Sequence, residues 1–230
     1  MKIGVFDSGL GGLSVANAIT AALPNEQVVY REDHQHLPYG TKTPDELLGL
    51  VLPILQSMVD EGCEVIVIAC NTVTTTIIGK LRQKVVVPLV GIEPMVKPAA
   101  QYTKSGVIAV CATPTTLASA RYKQLKQEFA ADIQVLEPDC SDWSTMIENN
   151  EINHHKIDEQ IESVFQKGAD VVVLACTHYH WIQHSIDTIA GGRAIVIQPE
   201  TAIVAQLKRV IEQMHEQTGL GSSFKSKHNL

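Results

Sequence analysis

The sequence predicts an α/β fold made of two pseudo-symmetric, doubly wound halves with mainly parallel sheets. Apolar runs of strand length alternate with helical segments, the pattern of a parallel sheet covered by helices on both faces. A run of four apolar residues followed by Ala-Cys occurs twice, ending at Cys70 and at Cys176. The offset of 106 residues between these cysteines also relates the strand at Ile3 to a run at Ala109. We therefore expect a duplicated α/β unit with a cleft between its halves.

The first half carries clear signals for each element. Thr43, Pro44 and Glu46 form a capping box with proline at the first helical position, which predicts a helix start. Pro53 lies inside that helix and is expected to bend it. The predicted elements of this half are strand 2–7, helix 13–23, strand 27–31, helix 44–61, strand 65–69, helix 71–84 and strand 86–92.

The strand and helix pattern restarts near Gly106 and runs to Gln198. An offset of 105 relates the second strand at Val28 to a run at Ile133, which extends the repeat. A last helix is predicted over residues 201–216, and the polar tail 219–230 is expected to fray. We predict one domain from residues 1–97 and 199–230, completed by the last helix, and a second domain from residues 98–198.

Composition restricts the partners and the compartment. The net charge of −7 argues against nucleic acid and against a basic membrane-binding patch. No apolar run approaches the roughly 18 residues of a spanning helix, and the chain enters a strand without a signal-peptide pattern. Five cysteines, an odd number, do not indicate a disulfide framework. These observations predict a protein of the reducing cytoplasm.

Cys70 and Cys176 are the main candidates for chemistry. Ligands bind at the carboxyl ends of strands in open α/β sheets, so each motif presents one thiol to a half-site. A helix N-terminus after the cysteine is expected to lower the thiol pKa. Two thiols facing one another can exchange the roles of base and acid. Cys63, Cys111 and Cys140 are expected to be buried apolar residues.

Two further groups accompany the thiols. Asp7 ends the first strand ahead of the glycine-rich turn 8–12, where it can orient a thiol or an ammonium group. His178 follows Cys176 by two residues and can tune that thiol or move its proton. The turn lacks the G-x-G-x-x-G spacing of a dinucleotide site, and residues 176–180 match no common zinc pattern. No metal or cofactor is therefore predicted. A cysteine hydrolase would use Cys176 with His178 but leaves Cys70 unexplained.

Four segments together resemble the signatures of glutamate racemase, within the cofactor-independent aspartate/glutamate racemase superfamily. They are Ile3–Val15, Pro38-Tyr39-Gly40, Ala69-Cys70-Asn71-Thr72 and Cys176-Thr177-His178-Tyr179. Their order and spacing fit over nearly the whole chain, to about Ala205. The first two are specific to the glutamate branch, and the two cysteine motifs mark the superfamily more broadly.

The resemblance implies roles for individual residues. The residue matching Cys70 acts on the D-enantiomer and the one matching Cys176 on the L-enantiomer, each assisted by its neighbour, Asp7 or His178. It further implies a homodimer and a supply of D-glutamate for bacterial peptidoglycan synthesis. The residues that it implies for substrate binding are Asp7, Ser8, Tyr39, Gly40, Asn71, Thr72, Thr113, Thr116, Glu148, Thr177 and His178.

The chain departs from the family pattern at several positions. His34 stands where the family usually has Thr, His180 where it has Pro, and Gln198-Pro199 where it has Asp-Ser. None of these positions removes a thiol, but they leave the preferred amino acid open. The alternatives are a related racemase acting on aspartate or another amino acid, and a non-catalytic relative that kept the cleft.

Overall fold

The computed structural model describes residues 1–217 and 219, which form two four-stranded, all-parallel sheets. The strand order is β2-β1-β3-β4 in the first sheet and β6-β5-β7-β8 in the second, so both sheets have the same topology. This confirms the predicted fold class. The strands are β1 (Lys2–Asp7), β2 (Gln27–Glu32), β3 (Val65–Ile68), β4 (Leu89–Gly91), β5 (Val107–Cys111), β6 (Gln134–Leu136), β7 (Val171–Leu174) and β8 (Ile195–Ile197).

Helices connect the strands and cover both faces of each sheet. Thr43 caps α2 as predicted, since its hydroxyl accepts from the Glu46 N–H while the Glu46 carboxylate accepts from the Thr43 N–H. The helices are α1 (Leu13–Ala22), α2 (Pro44–Asp60), α3 (Asn71–Arg82), α4 (Val96–Tyr102), α5 (Pro114–Ala118), α6 (Ala120–Phe129), α7 (Trp143–Glu148), α8 (His154–Gln166), α9 (Gln183–Ala190) and α10 (Glu200–Gln217).

Each sheet lies between two apolar layers. In the first half, α2 and α3 cover one face, and α1 covers the other together with Ile203, Leu207 and Ile211 of α10. In the second half, α8 and α9 cover one face, whereas α6 and α4, through Val96 and Ala99, cover the other. The last helix therefore returns to the first sheet, while α4 packs on the second.

The internal repeat is real, but its register differs from the sequence-based alignment. Val65 and Val171 occupy the same place in their sheets, as the offset of 106 predicts. Ile3 pairs with Val65 and Ile108 with Val171, so the first strands are related by 105 residues. The predicted match of Ile3 with Ala109 was wrong by one residue, because it would place an apolar side chain on the opposite face of the sheet.

The second strands are offset in the other direction. Val28 pairs with Ile3, and Val135 pairs with Ile108, so these strands are related by 107 residues rather than 105. The whole connection from the first to the second strand is two residues longer in the second half, which a single sequence offset cannot capture. The strand predicted over residues 86–92 is shorter, covering Leu89–Gly91.

Across residues 1–217 and Gly219, the helices are too short or too polar to cross a lipid bilayer. Apart from Gly219, the tail that was expected to fray lies outside the described residues.

Candidate active site

A cavity of about 230 Å³ lies between the carboxyl ends of the two sheets. Both halves contribute polar groups to its wall, including both candidate thiols. Its lining residues are Ser8, His34, Leu37, Pro38, Tyr39, Gly40, Cys70, Asn71, Thr72, Thr113, Ser144, Thr145, Glu148, Asn149, Cys176, Thr177 and His178.

Cys70 is a buried, neutral thiol in this arrangement. It occupies the N-cap position of α3, is 5% exposed, and its Sγ lies 3.5 Å from the Ser8 hydroxyl. Burial, followed by the charge of Asp7, raises the thiol pKa to about 12, although Ser8 and the Val73 N–H oppose this shift. The Val73 N–H in the first turn of α3 favours the thiolate, as predicted, but the expected net lowering of the pKa was wrong, because desolvation outweighs this contact at a site this deeply buried.

Cys176 has a charged neighbour. Its Sγ lies 3.7 Å from His178 Nδ1, and the opposite ring nitrogen, Nε2, donates to Glu148 Oε1. Burial opposes the charged imidazole, but Cys176, Glu148 and Asp7 outweigh it and raise the pKa of His178 to about 11. Burial raises the pKa of Glu148, but contacts with His178, the Leu10 N–H and the charge of His34 outweigh burial, so the pKa of Glu148 is lowered. The second half-site is thus built around an ion pair.

Asp7 lies behind the cavity wall. It is fully buried, and its Oδ2 accepts a hydrogen bond of 3.0 Å from the Thr177 hydroxyl of the other half. Burial raises the pKa of Asp7, while His178 and the backbone N–H groups of Ser8 and Gly12 favour its ionised form. Asp7 therefore acts on the site through its field and through Thr177.

Direct contacts across the cleft hold the two halves together. The Thr72 hydroxyl lies 3.0 Å from that of Thr113, and the Thr115 hydroxyl donates to the Gly40 carbonyl at 2.5 Å. The Leu10 N–H donates to Glu148 Oε1 at 3.1 Å. A Cβ at Gly40 would approach the Thr113 Cβ to 2.8 Å, so glycine permits this approach. The cavity is closed on this side by groups of both halves.

The structure brings most of the predicted site residues together. Asp7 and Thr116 are the exceptions, since neither lines the cavity; Thr116 is fully buried and lies 3.0 Å, hydroxyl to hydroxyl, from Thr113. Cys63, Cys111 and Cys140 are buried, as expected.

Sequence reasoning missed part of the wall. Ser144 lies on α7 and Asn149 directly after it. This short helix follows no strand-end motif, so only one signal in the sequence, the position of Glu148, indicated that it approaches the site.

Of the departures from the family pattern, His34 lines the cavity. His180 and Gln198 do not, and their side chains lie 3.0 Å apart near Glu200. In the described part of the chain, no group of three or more His, Cys, Asp and Glu side chains is arranged to hold a metal ion.

Comparisons with known proteins give the family. The model of the Asp/Glu/Hydantoin racemase family matches residues 3–207. The chain belongs to this family. A glutamate racemase of Ralstonia nicotianae is 38% identical over 226 residues, which cover 96% of this chain and 82% of that relative. The family resemblance found in the sequence is thereby confirmed.

Solved structures of racemases share the fold. A glutamate racemase of Escherichia coli, in complex with L-glutamate and the activator UDP-MurNAc-Ala, matches with a TM-score of 0.85 and 28% identity, covering 92% of this chain and 82% of that chain. A glutamate racemase of Campylobacter jejuni matches with a TM-score of 0.76 and 30% identity, covering 91% and 86%. As a member of this racemase family, the chain is an isomerase.

Proposed function

We propose that this chain is a glutamate racemase that interconverts L- and D-glutamate by removing the Cα proton on one face and returning a proton on the other. The observation that carries the proposal is that Cys70 and Cys176, from equivalent places in two related half-sheets, line one cavity. Inversion of a carbon centre needs one base and one acid on opposite faces, and two thiols supply both. Neither step requires a metal or an organic cofactor.

We assign Cys176 to the L-enantiomer and Cys70 to the D-enantiomer, following the family resemblance. In the L-to-D direction, Cys176 takes the Cα proton and Cys70 gives its own. The neutral state of the Cys70 thiol, whose pKa burial raises to about 12, fits a proton donor. His178 supports the proton movements of Cys176, whose sulfur lies 3.7 Å from its Nδ1. The reverse direction exchanges the roles.

Polar groups without internal partners support substrate binding. Both the Asn71 side-chain oxygen and nitrogen are buried and lack a hydrogen-bond partner among the described residues. A buried, unpaired amide is costly unless a ligand satisfies it. Asn71 can donate to one carboxylate oxygen and accept from the ammonium group of an amino acid. The hydroxyls of Ser8, Thr72 and Thr177 line the same wall and complete a polar binding surface.

We further infer that substrate enters by separation of two domains, residues 1–97 with 199–230 and residues 98–198. The contacts of Thr115 with Gly40 and of Leu10 with Glu148 cross between these units, so they must break for the cavity to open. Closure excludes water, which would otherwise protonate the carbanion on either face. Glutamate carboxylates would then be held by hydroxyls, Asn71 and backbone N–H groups.

The resemblance extends to the cellular role. We infer that the product D-glutamate enters bacterial peptidoglycan synthesis, and that the enzyme works in the cytoplasm as a homodimer. The five cysteines are free, which suits a reducing compartment.

The decisive experiment is proton NMR of the purified protein with L-glutamate in D2O, followed in parallel by polarimetry. We expect the Cα proton to disappear while the optical rotation decays to zero. L-aspartate under the same conditions is the control, and we expect slower exchange with it. Exchange with aspartate alone would assign the chain to a sister activity, and no exchange with either would overturn the proposal.

A further inference from the structure

Cys176 is connected to the protein surface by a row of titratable side chains. The row runs from Cys176 through His178 and Glu148 to His34. His178 and Glu148 are 3% and 7% exposed, whereas the His34 side chain is 60% exposed. The row therefore begins at a sulfur inside the cavity and ends at a group that water reaches.

The junction between Glu148 and His34 is the unusual part of this row. Glu148 Oε1 is engaged by His178 and by the Leu10 N–H, but Oε2 is buried and has no hydrogen-bond partner among the described residues. His34 Nδ1 lies 3.4 Å from this oxygen and forms an ion pair with it when protonated. An otherwise unpaired, buried carboxylate oxygen facing one exposed imidazole is placed to pass a proton to it.

We infer that His34, Glu148 and His178 form a proton relay that resets Cys176 between turnovers. This inference rests on the proposed function. One L-to-D turnover leaves Cys176 protonated and Cys70 deprotonated, which is the wrong state for a second L-glutamate. Cys176 must lose a proton, and Cys70 must gain one, before the next turnover in that direction. The relay supplies the path for Cys176.

Each transfer in the relay has a donor and an acceptor. While Cys176 holds its proton, His178 loses one of the negative charges that favour the imidazolium, so the step begins from neutral His178 with its proton on Nε2. The Cys176 S–H bond then breaks as Nδ1 of His178 takes the proton, and Nε2 of the resulting imidazolium gives its proton to Glu148 Oε1. A half-turn of the carboxyl group presents this proton to His34 Nδ1, and Nε2 of His34 releases one to water. A thiolate remains on Cys176, rotation of the His178 ring restores its starting tautomer, and the exposed His34 ring exchanges its protons with solvent. The same transfers in reverse order return a proton to the Cys176 thiolate.

A reset step has a kinetic signature that a binding role lacks. It follows product release, so slowing it lowers kcat while kcat/KM, which reports steps from free enzyme and substrate onward, stays unchanged. His34→Gln keeps a polar side chain but cannot carry a proton. We expect about tenfold lower kcat in both directions, less than the roughly 100-fold or more lost with a group that acts on substrate directly. Added imidazole should restore this rate, because a soluble proton carrier can replace the missing one.

The test is polarimetric racemisation by wild type, His34→Gln and the control His155→Gln, with and without imidazole. His155 is an exposed histidine that lies at the same distance, 3.4 Å, from a glutamate, Glu159. The inference is supported if only His34→Gln loses kcat and imidazole restores it. It is overturned if kcat is unchanged, or if kcat/KM falls without rescue by imidazole. Absence of racemisation by the wild type would instead refute the proposed function.

Discussion

The two half-sites have the same fold and opposite electrostatics. Cys70 and Cys176 follow equivalent strands, yet Cys70 lies beside a hydroxyl in a site where burial raises its pKa, and Cys176 lies beside the His178–Glu148 ion pair. The residue two places after each cysteine makes the difference: Thr72 in the first half and His178 in the second. Duplication therefore supplied two thiols at equivalent places in the two halves, and single side chains next to them set different proton chemistry.

The backbone after the two cysteines also differs between the halves. Cys70 occupies the N-cap position of α3, so Asn71 and Thr72 lie in the first turn of a regular helix. After Cys176 the chain instead forms a 3-10 segment over Thr177–Ile182 before α9 begins. This tighter segment carries His178 back towards the thiol and towards Glu148. The asymmetry is thus built into the backbone as well as into the side chains.

The largest effect is expected from removing either thiol. Cys70→Ser and Cys176→Ser each leave a hydroxyl that is too weak an acid and base for this exchange, so racemisation should fall by about 100-fold or more. Polarimetry measures the loss, and circular dichroism checks that the fold is retained. Cys63→Ser, at a buried cysteine outside the cavity, is the matched control and should keep its activity. Near-normal activity in both thiol variants would refute the two-base mechanism.

The ion pair of the second half-site is expected to give the next largest effect. Glu148→Gln leaves the buried His178 without its charged partner, and breaking such a pair typically costs about 3–5 kcal/mol of unfolding free energy. The pKa of His178 should fall from about 11, which histidine NMR can follow. Because folding raises the pKa of His178, the protonated ring stabilises the folded protein. This contribution to the free energy of unfolding is fully present below the ordinary histidine pKa of 6.5 and is lost as pH rises through about 11.

The matched control is Glu159→Gln, because Glu159 pairs with His155 on the exposed surface of α8. Exposed pairs contribute about 0–1 kcal/mol, so this variant should unfold at nearly the wild-type urea concentration. Equal destabilisation by the two substitutions would mean that the His178–Glu148 pair is not the electrostatic centre of its half-site.

The last effect, absent at neutral pH and confined to alkaline solution, concerns the neutral thiol of the first half-site. The unfolded Cys70 ionises near its ordinary pKa of 9.0, whereas the folded thiol keeps its proton until about 12. The contribution of Cys70 to the free energy of unfolding is therefore fully present below pH 9. Between pH 9 and about 12 it declines by about 1.4 kcal/mol per pH unit. Urea unfolding above pH 9 should show a shallower decline for Cys70→Ser than for the wild type. Parallel declines would contradict the raised pKa.

Much of the fold was predictable because the signals were local. The apolar runs before Cys70 and Cys176 and the capping box at Thr43 each depend on a few neighbouring residues, and the structure contains all three features. The repeat was also visible, but its register at Ile3 and at Val28 was wrong. Loop lengths differ between the halves, and which face of a strand is buried depends on the helices that cover it.

The sequence by itself determined the two-thiol arrangement, since a strand-end cysteine in each of two duplicated sheets must face the cleft at their carboxyl ends. Only the tertiary structure decided how those thiols differ. Desolvation of Cys70, the meeting of Glu148 with His178 and the approach of His34 all join residues far apart in the chain. The physical reason is that burial and charge act through space, so a proton affinity depends on which groups the fold brings within a few ångströms.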